Sequence, residues 1–454
     1  MAEIFLRCPS CNGTLDASSE SGLTCVSCNL TFPIENGIPR MLRPAIRAAL
    51  QNDAASTLDA KQAKTALSFG YEWQRFPEMY AEWEKQFLDY MQPHTTDFFK
   101  GKKVLDAGCG NGRFAYYAGK YAREVWAIDL GPAVEVARKN TASLDNVHVV
   151  QADLHNPPFP LESFDFIYSI GVLHHLPDPD AGLCALRDLL APDGAMNVML
   201  YAPYGRTGIY IIQEFCRRVG ITATDVDIRD LVAALKALPP GHPMQNLLRD
   251  APDFRNEAAL ADALLHPCDR AYSVPQLFDF LHQGGLRFDR WVRQAAYSPR
   301  CGVMATLPQA ARIEKLPIEE QYAAAELFRG TMLRHSVIAR RHGDAPHDPI
   351  AFSGDGWLAA VPVRMPDTVC VRERLPPGAA AVLISQSHTY RDIYLPIDAM
   401  EMRMLESIDG HRSVGDIIGQ ATGPSREPSR LDQARSFFER LWWHDQVVFD
   451  TSGA

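Results

Sequence analysis

The sequence predicts an α/β fold: a parallel sheet covered by helices on both faces, with smaller modules at either end. Three observations carry that expectation. Short apolar strands alternate with helical patterns across residues 101–342, and strands that alternate with helices pair in parallel and bury both faces. A glycine-rich turn, Asp106-Ala107-Gly108-Cys109-Gly110-Asn111-Gly112, follows directly on the first of those strands. Finally, Asp106, Asp129 and Asp153 end successive strands 23 and 24 residues apart. That spacing is about one βα unit, so the three acids belong at the carboxyl edge of the sheet, where ligands bind in such folds.

The strands expected in this region are Lys103 to Asp106, Glu124 to Asp129, Asn146 to Val150, Phe164 to Ile170 and Ala195 to Tyr201. Helical patterns stand between them, for example Pro132 to Asn140 and Ala181 to Leu190. About 80 mostly helical residues then intervene before Leu286 to Val292. An insertion at about 205–285, at the ligand edge, is expected to form a lid. Arg334 to Arg340 would be the final strand, with a helix at about 318–332 before it.

The glycines of the turn let the backbone bend tightly and approach a ligand, because no Cβ intervenes. The helix after it offers free N–H groups and a positive dipole end. A dinucleotide site uses a similar turn. Here an acid stands directly before the turn, where a dinucleotide fold has an apolar strand end. The pattern also continues through Asp129, Asp153 and Phe164-Asp165-Phe166-Ile167-Tyr168.

With these segments assembled, the chain resembles class I S-adenosylmethionine-dependent methyltransferases, in particular the group that includes ubiquinone and menaquinone methyltransferases. The resemblance rests on Val104 to Arg113, Ile128-Asp129-Leu130, Gln151-Ala152-Asp153-Leu154 and Gly171-Val172-Leu173-His174-His175-Leu176, in family order and spacing over about residues 101–202. It implies a Rossmann-like sheet and S-adenosyl-L-methionine as cofactor. Asp106 would accept from the cofactor's ammonium group, and Gly108 and Gly110 would make room for its methionine part. Asp129 would take the two ribose hydroxyls, having two acceptor oxygens. Asp153 would receive the adenine amino group, with Leu130 and Leu154 as further cofactor contacts. Asp153 as a helix-capping or turn acid is the plainer alternative. Ile170 and Gly171 would border the reacting methyl.

Methyl transfer from a sulfonium chiefly needs proximity, alignment and a deprotonated acceptor, and a base only when the acceptor's own pKa is high. His174 and His175 are the candidate catalytic residues on the acceptor side; the alternative is that His175 caps or packs the Leu-Pro-Asp-Pro turn that follows. Tyr201, Tyr204 and Arg206 are candidates for acceptor contact or for lid packing.

The flanks divide into a ribbon (1–45), a helical cap (46–100), a β-rich connector (343–396) and a C-terminal unit (397–454). Cys8-Pro9-Ser10-Cys11 and Cys25-Val26-Ser27-Cys28 are two C-x-x-C knuckles separated by 13 residues, a spacing that suits structural Zn2+; two disulfides are the alternative. Together with Phe32 to Leu42 they resemble the small zinc-ribbon activator proteins of tRNA and protein methyltransferases. A family of rRNA guanine methyltransferases also bears an N-terminal Cys-rich module. In the cap, Phe69-Gly70-Tyr71-Glu72-Trp73 and Phe76 form an aromatic stripe, suited to packing or, through Tyr71 or Trp73, to gating the cofactor cleft. The C-terminal patterns Ala399 to Ile408, Ser413 to Gln420, Arg430 to Trp443 and a wing at Gln446 to Asp450 are similar to winged-helix units that recognise peptides. Leu431 to Trp443 carries Asp432 and Glu439 beside Arg435 and Arg440, so a peptide or protein partner is expected ahead of DNA.

The 454 residues call for several domains. A hydrophobic share of 46% with 22% charged residues is that of a globular protein. No apolar run is long enough for a membrane span, the first residues do not read as a secretory signal, and six scattered cysteines fit a reducing compartment; a cytoplasmic location is expected. A net charge of -10 disfavours broad nucleic-acid or anionic-membrane binding. The expected activity is methyl transfer to a small-molecule acceptor, the alternative being a peptide, protein or RNA presented by the flanking modules. A non-catalytic cofactor-binding scaffold is a third reading, and the intact acids count against it.

Overall fold

The fold is built outward from β5 (Lys103–Ala107), the strand that carries the glycine-rich turn. The computed structural model describes residues 5–451 except 20–21, 52–56, 76, 223, 251–259, 261–262, 267, 345–349 and 423–427. Around β5 stand β6 (Glu124–Asp129), β7 (Val147–Ala152), β8 (Phe164–Ile170), β9 (Leu190–Tyr201), β10 (Leu286–Trp291) and β11 (Arg334–Arg341). The strand order is β7-β6-β5-β8-β9-β11-β10. The first five pair in parallel, and β11 runs antiparallel to β9. This is the expected Rossmann-like methyltransferase sheet, including the late strand at Arg334 and the helix Ile318–Arg329 before it.

The central strands are apolar along their length because helices cover both faces. Val104, Leu105, Phe164, Phe166, Ile167 and Tyr168 are all fully buried. The chain reverses its direction of strand addition between β5 and β8, which opens a crevice at their carboxyl ends. Asp106 sits there, in register with Ala127 and Tyr168.

The sheet continues beyond β7. β1 (Leu15–Ser19), β2 (Gly22–Cys25), β3 (Thr31–Glu35) and β4 (Ile38–Met41) come from the cysteine-bearing module. β4 pairs in parallel with β7, Arg40 opposite Gln151 and Met41 opposite Ala152. The ribbon therefore prolongs the central sheet to eleven strands. Arg40, nearly buried, fastens the joint: it contacts Glu35, Gln151 and Glu135.

Helix Leu58–Arg75 crosses the ligand edge. Two glycines permit that crossing: a Cβ on Gly70 would lie 2.5 Å from Pro132 Cδ, and one on Gly131 would lie 2.4 Å from the Ala66 carbonyl oxygen. The insertion after β9 holds helices Thr207–Val219, Asp225–Lys236 and Met244–Asp250, packed around Ile209, Ile212, Leu231, Leu235 and Met244. Its return segment is strapped to the core by backbone bonds from Arg270 N–H to the His174 carbonyl (3.1 Å) and from Tyr272 N–H to the Tyr201 carbonyl (2.8 Å).

The chain forms two compact units, residues 1–288 with 330–344, and residues 289–329 with 345–454. The second unit contains β12 (Val361–Arg364), β13 (Thr368–Val371), β14 (Ala381–Ser385), β15 (Leu395–Ile397), β16 (Val447–Asp450) and helices Ala399–Glu406, Val414–Thr422 and Pro428–Trp443. Its core includes Trp357, Leu383, Phe437, Phe438 and Leu441. β16, where a wing was expected, pairs antiparallel with β12, a strand that precedes the helices. Asp445, buried, accepts from the Gln294 and Ala295 N–H groups (3.2 and 2.9 Å) and lies 3.6 Å from Arg290, tying segment 289–329 to the rest of this unit.

Candidate functional site

A cavity lies at the β5–β8 crevice, enclosing about 930 Å³ when the part open to solvent is counted. Of the expected site residues, Asp106, Gly108, Gly110, Asp129, Leu130, Leu154, Ile170 and His175 line it. The cap helix adds Gln62, Thr65, Ala66, Phe69 and Trp73.

Asp106 is a strongly perturbed group in this cavity. It is 3% exposed, and its Oδ2 has no hydrogen-bond partner among the described residues. Burial pushes its carboxyl up to about 8; the Tyr168 hydroxyl opposes that shift and Asp129 adds to it. Asp129 is held from two sides, Oδ2 accepting from Gly110 N–H at 3.0 Å and Oδ1 from Gly131 N–H at 2.9 Å. Burial raises its carboxyl and these N–H groups oppose the rise. Gly108 adopts φ +95, and a Cβ there would lie 2.4 Å from Val172 Cγ2. At Gly110 a Cβ would meet the Trp73 Nε1 at 2.8 Å. Trp73 thus lies against the turn, with the Arg113 guanidinium 5.0 Å from its ring. Of the other aromatics on that stripe, the Tyr71 side chain and Phe76 lie outside the described residues.

Two expected residues do not line the cavity. Asp153 is buried behind it, accepting from Gln62 Nε2 (2.6 Å) and His155 N–H (2.9 Å), and 3.3 Å from Arg43. Its carboxyl is held down to about 2: burial raises it, but the hydrogen bonds and charge of His155 and the Gln62 amide outweigh that. Gln62, its bonded partner, lines the cavity. His174 is also buried, its ring 4.0 Å from that of Tyr201 and 4.1 Å from that of His175. Burial holds it far below the usual imidazole range.

His175 differs. Its Nδ1 lies 2.8 Å from the Cys268 carbonyl oxygen. A carbonyl can only accept, so Nδ1 carries the proton and Nε2 keeps a lone pair. That Nε2 has no partner among the described residues. Burial and the Arg206 charge lower the imidazole to about 4, against the Cys268 carbonyl bond that raises it. Arg206 stacks on Tyr201 (3.5 Å) and pairs with buried Asp269 (3.5 Å), which also accepts from Gln213 (2.9 Å). Tyr204 is exposed. His266, Cys268, Asp269 and Gln62 were missed in the sequence: Gln62 stands within a helix and the other three in an irregular segment, none of them in a motif.

In the ribbon, the sulfur atoms of Cys8, Cys11, Cys25 and Cys28 lie within 4.8 Å of one another. Cys8–Cys28 and Cys11–Cys25 are 3.6 and 3.5 Å apart. Tetrahedral zinc with Zn–S near 2.3 Å separates its sulfurs by about 3.8 Å, so the four thiolates fit a closed, structural zinc site.

Residues 105–198 match the family model described as a methyltransferase domain, and residues 5–37 match one described as Trm112p-like protein. The chain carries a class I methyltransferase domain. The chain is similar to the uncharacterized protein syc1184_c of Synechococcus sp., 31% identical over 241 residues, which are 49% of this chain and 55% of that one. It is also similar to the tRNA U34 carboxymethyltransferase of Pseudomonas aeruginosa, 29% identical over 193 residues, 39% of this chain and 59% of the relative. The chain thus spans just over half the length of these curated relatives. Among solved structures, PKMT2 from Rickettsia typhi in complex with AdoHcy shares the fold, with a TM-score of 0.56 at 16% identity, over 83% of this chain and 76% of that one. No helix among the described residues is long and apolar enough to cross a membrane.

Proposed function

We propose that this chain is an S-adenosyl-L-methionine-dependent methyltransferase acting on a small molecule that offers an O–H or N–H. The observation that carries this reading is the buried Asp106 oxygen without a partner, set with Asp129 in one glycine-lined cavity. A ligand that brings an ammonium group to Asp106 and a diol to Asp129 meets both needs. Gly108 and Gly110 would bound its aliphatic part, Leu130 and Leu154 its flat ring, and Ile170 and Gly171 the methyl. The PKMT2 complex with AdoHcy, on the same fold, supports the choice of cofactor. Trp73, over the turn, would move or form the roof when the site fills. Asp153 serves by orienting Gln62 toward the cavity and not by touching the ring.

When bound, the cofactor supplies an electrophilic methyl on a sulfonium. The chain's own part is to align the acceptor and take its proton. His175 is suited to this: neutral, at the cavity wall, with its free lone pair on Nε2. His174, packed behind it, holds the ring in place. The cap helix over the cavity and the net charge of -10 favour a small acceptor. The ribbon favours a second reading, in which RNA or a protein is presented to the same site, as the name of the Pseudomonas relative suggests for that protein.

Calorimetry with S-adenosylhomocysteine tests the cofactor: binding is expected, with loss in Asp129→Ala, and no binding to the parent overturns the proposal. Incubation with labelled cofactor and a cell extract tests the acceptor. Label confined to material above a few kilodaltons would replace the first reading by the second.

A further inference from the structure

Cys268 does more than orient one histidine. Its carbonyl oxygen takes the proton of His175 Nδ1 at 2.8 Å, and its own N–H donates to His266 Nδ1 at 3.1 Å. A backbone N–H can only donate, so His266 Nδ1 is the bare nitrogen and its Nε2 carries the proton. One residue therefore sets the two imidazoles in opposite tautomers. His175 presents an acceptor at Nε2, and His266 presents a donor at Nε2. Both Nε2 atoms are buried and without a partner among the described residues. The rings lie 4.2 Å apart and both pack on Phe69; Phe69 and His175 line the cavity, and His266 stands directly behind that lining, within reach of a ligand that displaces the ring contact.

Two unmet and complementary groups side by side are costly unless a ligand answers both. The charges nearby do not answer them: Arg206 and Asp269 neutralise each other. Burial keeps both rings uncharged, His175 at about 4 and His266 at about 3, so the pattern persists at neutral pH.

We infer that the acceptor end of the cavity recognises a paired hydrogen-bond edge, a donor O–H or N–H directly beside a carbonyl or equivalent oxygen, with His175 Nε2 taking the donor and His266 Nε2–H holding the oxygen. Lactams and hydroxy-carbonyl rings have this edge. His266 is thus a specificity-determining residue that the methyltransferase motifs do not contain. The inference rests on the acceptor reading of this same cavity.

The first test needs no cofactor. Long-range 1H–15N spectra of the full chain labelled at histidine, at pH 7 and assigned with His175→Gln and His266→Gln, are expected to show His175 protonated at Nδ1 and His266 at Nε2. Identical tautomers, or either ring charged, overturn the inference even if the cofactor binds. The second test titrates 2-pyridone, N-methyl-2-pyridone and phenol into the protein with and without S-adenosylhomocysteine. 2-Pyridone is expected to shift both histidine signals and to bind roughly tenfold more tightly than its N-methyl analogue, because a buried polar group left unpaired costs about that much. His266→Gln should reduce the preference of 2-pyridone over phenol while His175 keeps its tautomer. Equal binding of 2-pyridone and its N-methyl analogue refutes the paired edge. Failure of S-adenosylhomocysteine to bind refutes the proposed cofactor and leaves the tautomer result standing by itself.

Discussion

Asp106→Asn separates what this carboxylate does for the ligand-free fold from what it does for the cofactor. In the folded chain its carboxyl is pushed from 3.8 up to about 8 by burial. A raised carboxyl binds a proton more tightly in the folded state than in the unfolded one. Its contribution to stability is therefore complete below pH 3.8 and falls as pH rises toward 8, at about 1.4 kcal/mol per pH unit. Asparagine has nearly the same shape and does not titrate. Between pH 5.5 and 7.5 the stability of Asp106→Asn relative to the parent should therefore rise by about 2.7 kcal/mol. For a unit of this size that is a relative gain of roughly 4 °C in melting midpoint. The assay is a thermal melt of both proteins at the two pH values, without ligand. The same substitution should weaken S-adenosylmethionine by about 10- to 150-fold, since a charged hydrogen bond contributes roughly 1.5–3 kcal/mol. Midpoints that shift in parallel with pH would show that Asp106 is not held protonated, and the fit of a cationic group to its bare oxygen would lose its basis.

Four other outcomes follow from the geometry. Gly108→Ala places a Cβ 2.4 Å from Val172 at φ +95; a loss of about 2–4 kcal/mol in a denaturant melt is expected, with weakened cofactor binding. Arg206→Ala leaves Asp269, whose side chain is 3% exposed, without its cation, and should cost about 3–5 kcal/mol, whereas a change under 1 kcal/mol would mean the pair is solvated. If His175 is the base, the rate should fall only as pH drops through about 4, where its imidazole protonates; a profile that breaks near 6.5 points to another group. Metal analysis of protein purified without added zinc should find one zinc per chain. A strong chelator should remove it and lower the melting midpoint, and a metal-free, fully stable protein rules the site out.

The donor half of the site was legible because its chemistry is local. Each acid ends a strand, each glycine follows it, and alternation alone places strand ends at one edge. Asp153 shows the limit of that logic. It stands at the expected strand end, yet its carboxylate also accepts from Gln62, a cavity-lining residue on a helix 91 residues upstream in the chain. The pattern of one βα unit cannot register a partner so distant. The acceptor half was less legible for the same reason. His175 sits in a motif, but its tautomer is set by Cys268, deep in the insertion. His266 and Cys268 matter through backbone bonds, which leave no residue-type signature.

The ribbon carries this argument furthest. From sequence it is a self-contained zinc module, and a module tethered by a linker would leave β7 as an open edge. An apolar parallel strand with unpaired N–H and C=O groups invites pairing with other chains. Instead β4 occupies that edge in parallel, and Arg40 contacts both Glu35 within the ribbon and Glu135 of the adjoining helix. Two residues on, Arg43 reaches Asp153, which in turn holds Gln62 at the cavity wall. The four thiolates would thus stabilise more than the ribbon itself. By keeping β4 formed, they would cover the sheet edge and support the cavity wall through Arg43, Asp153 and Gln62. The ribbon's place in the fold therefore follows from sheet physics, independently of the reaction proposed for the cavity.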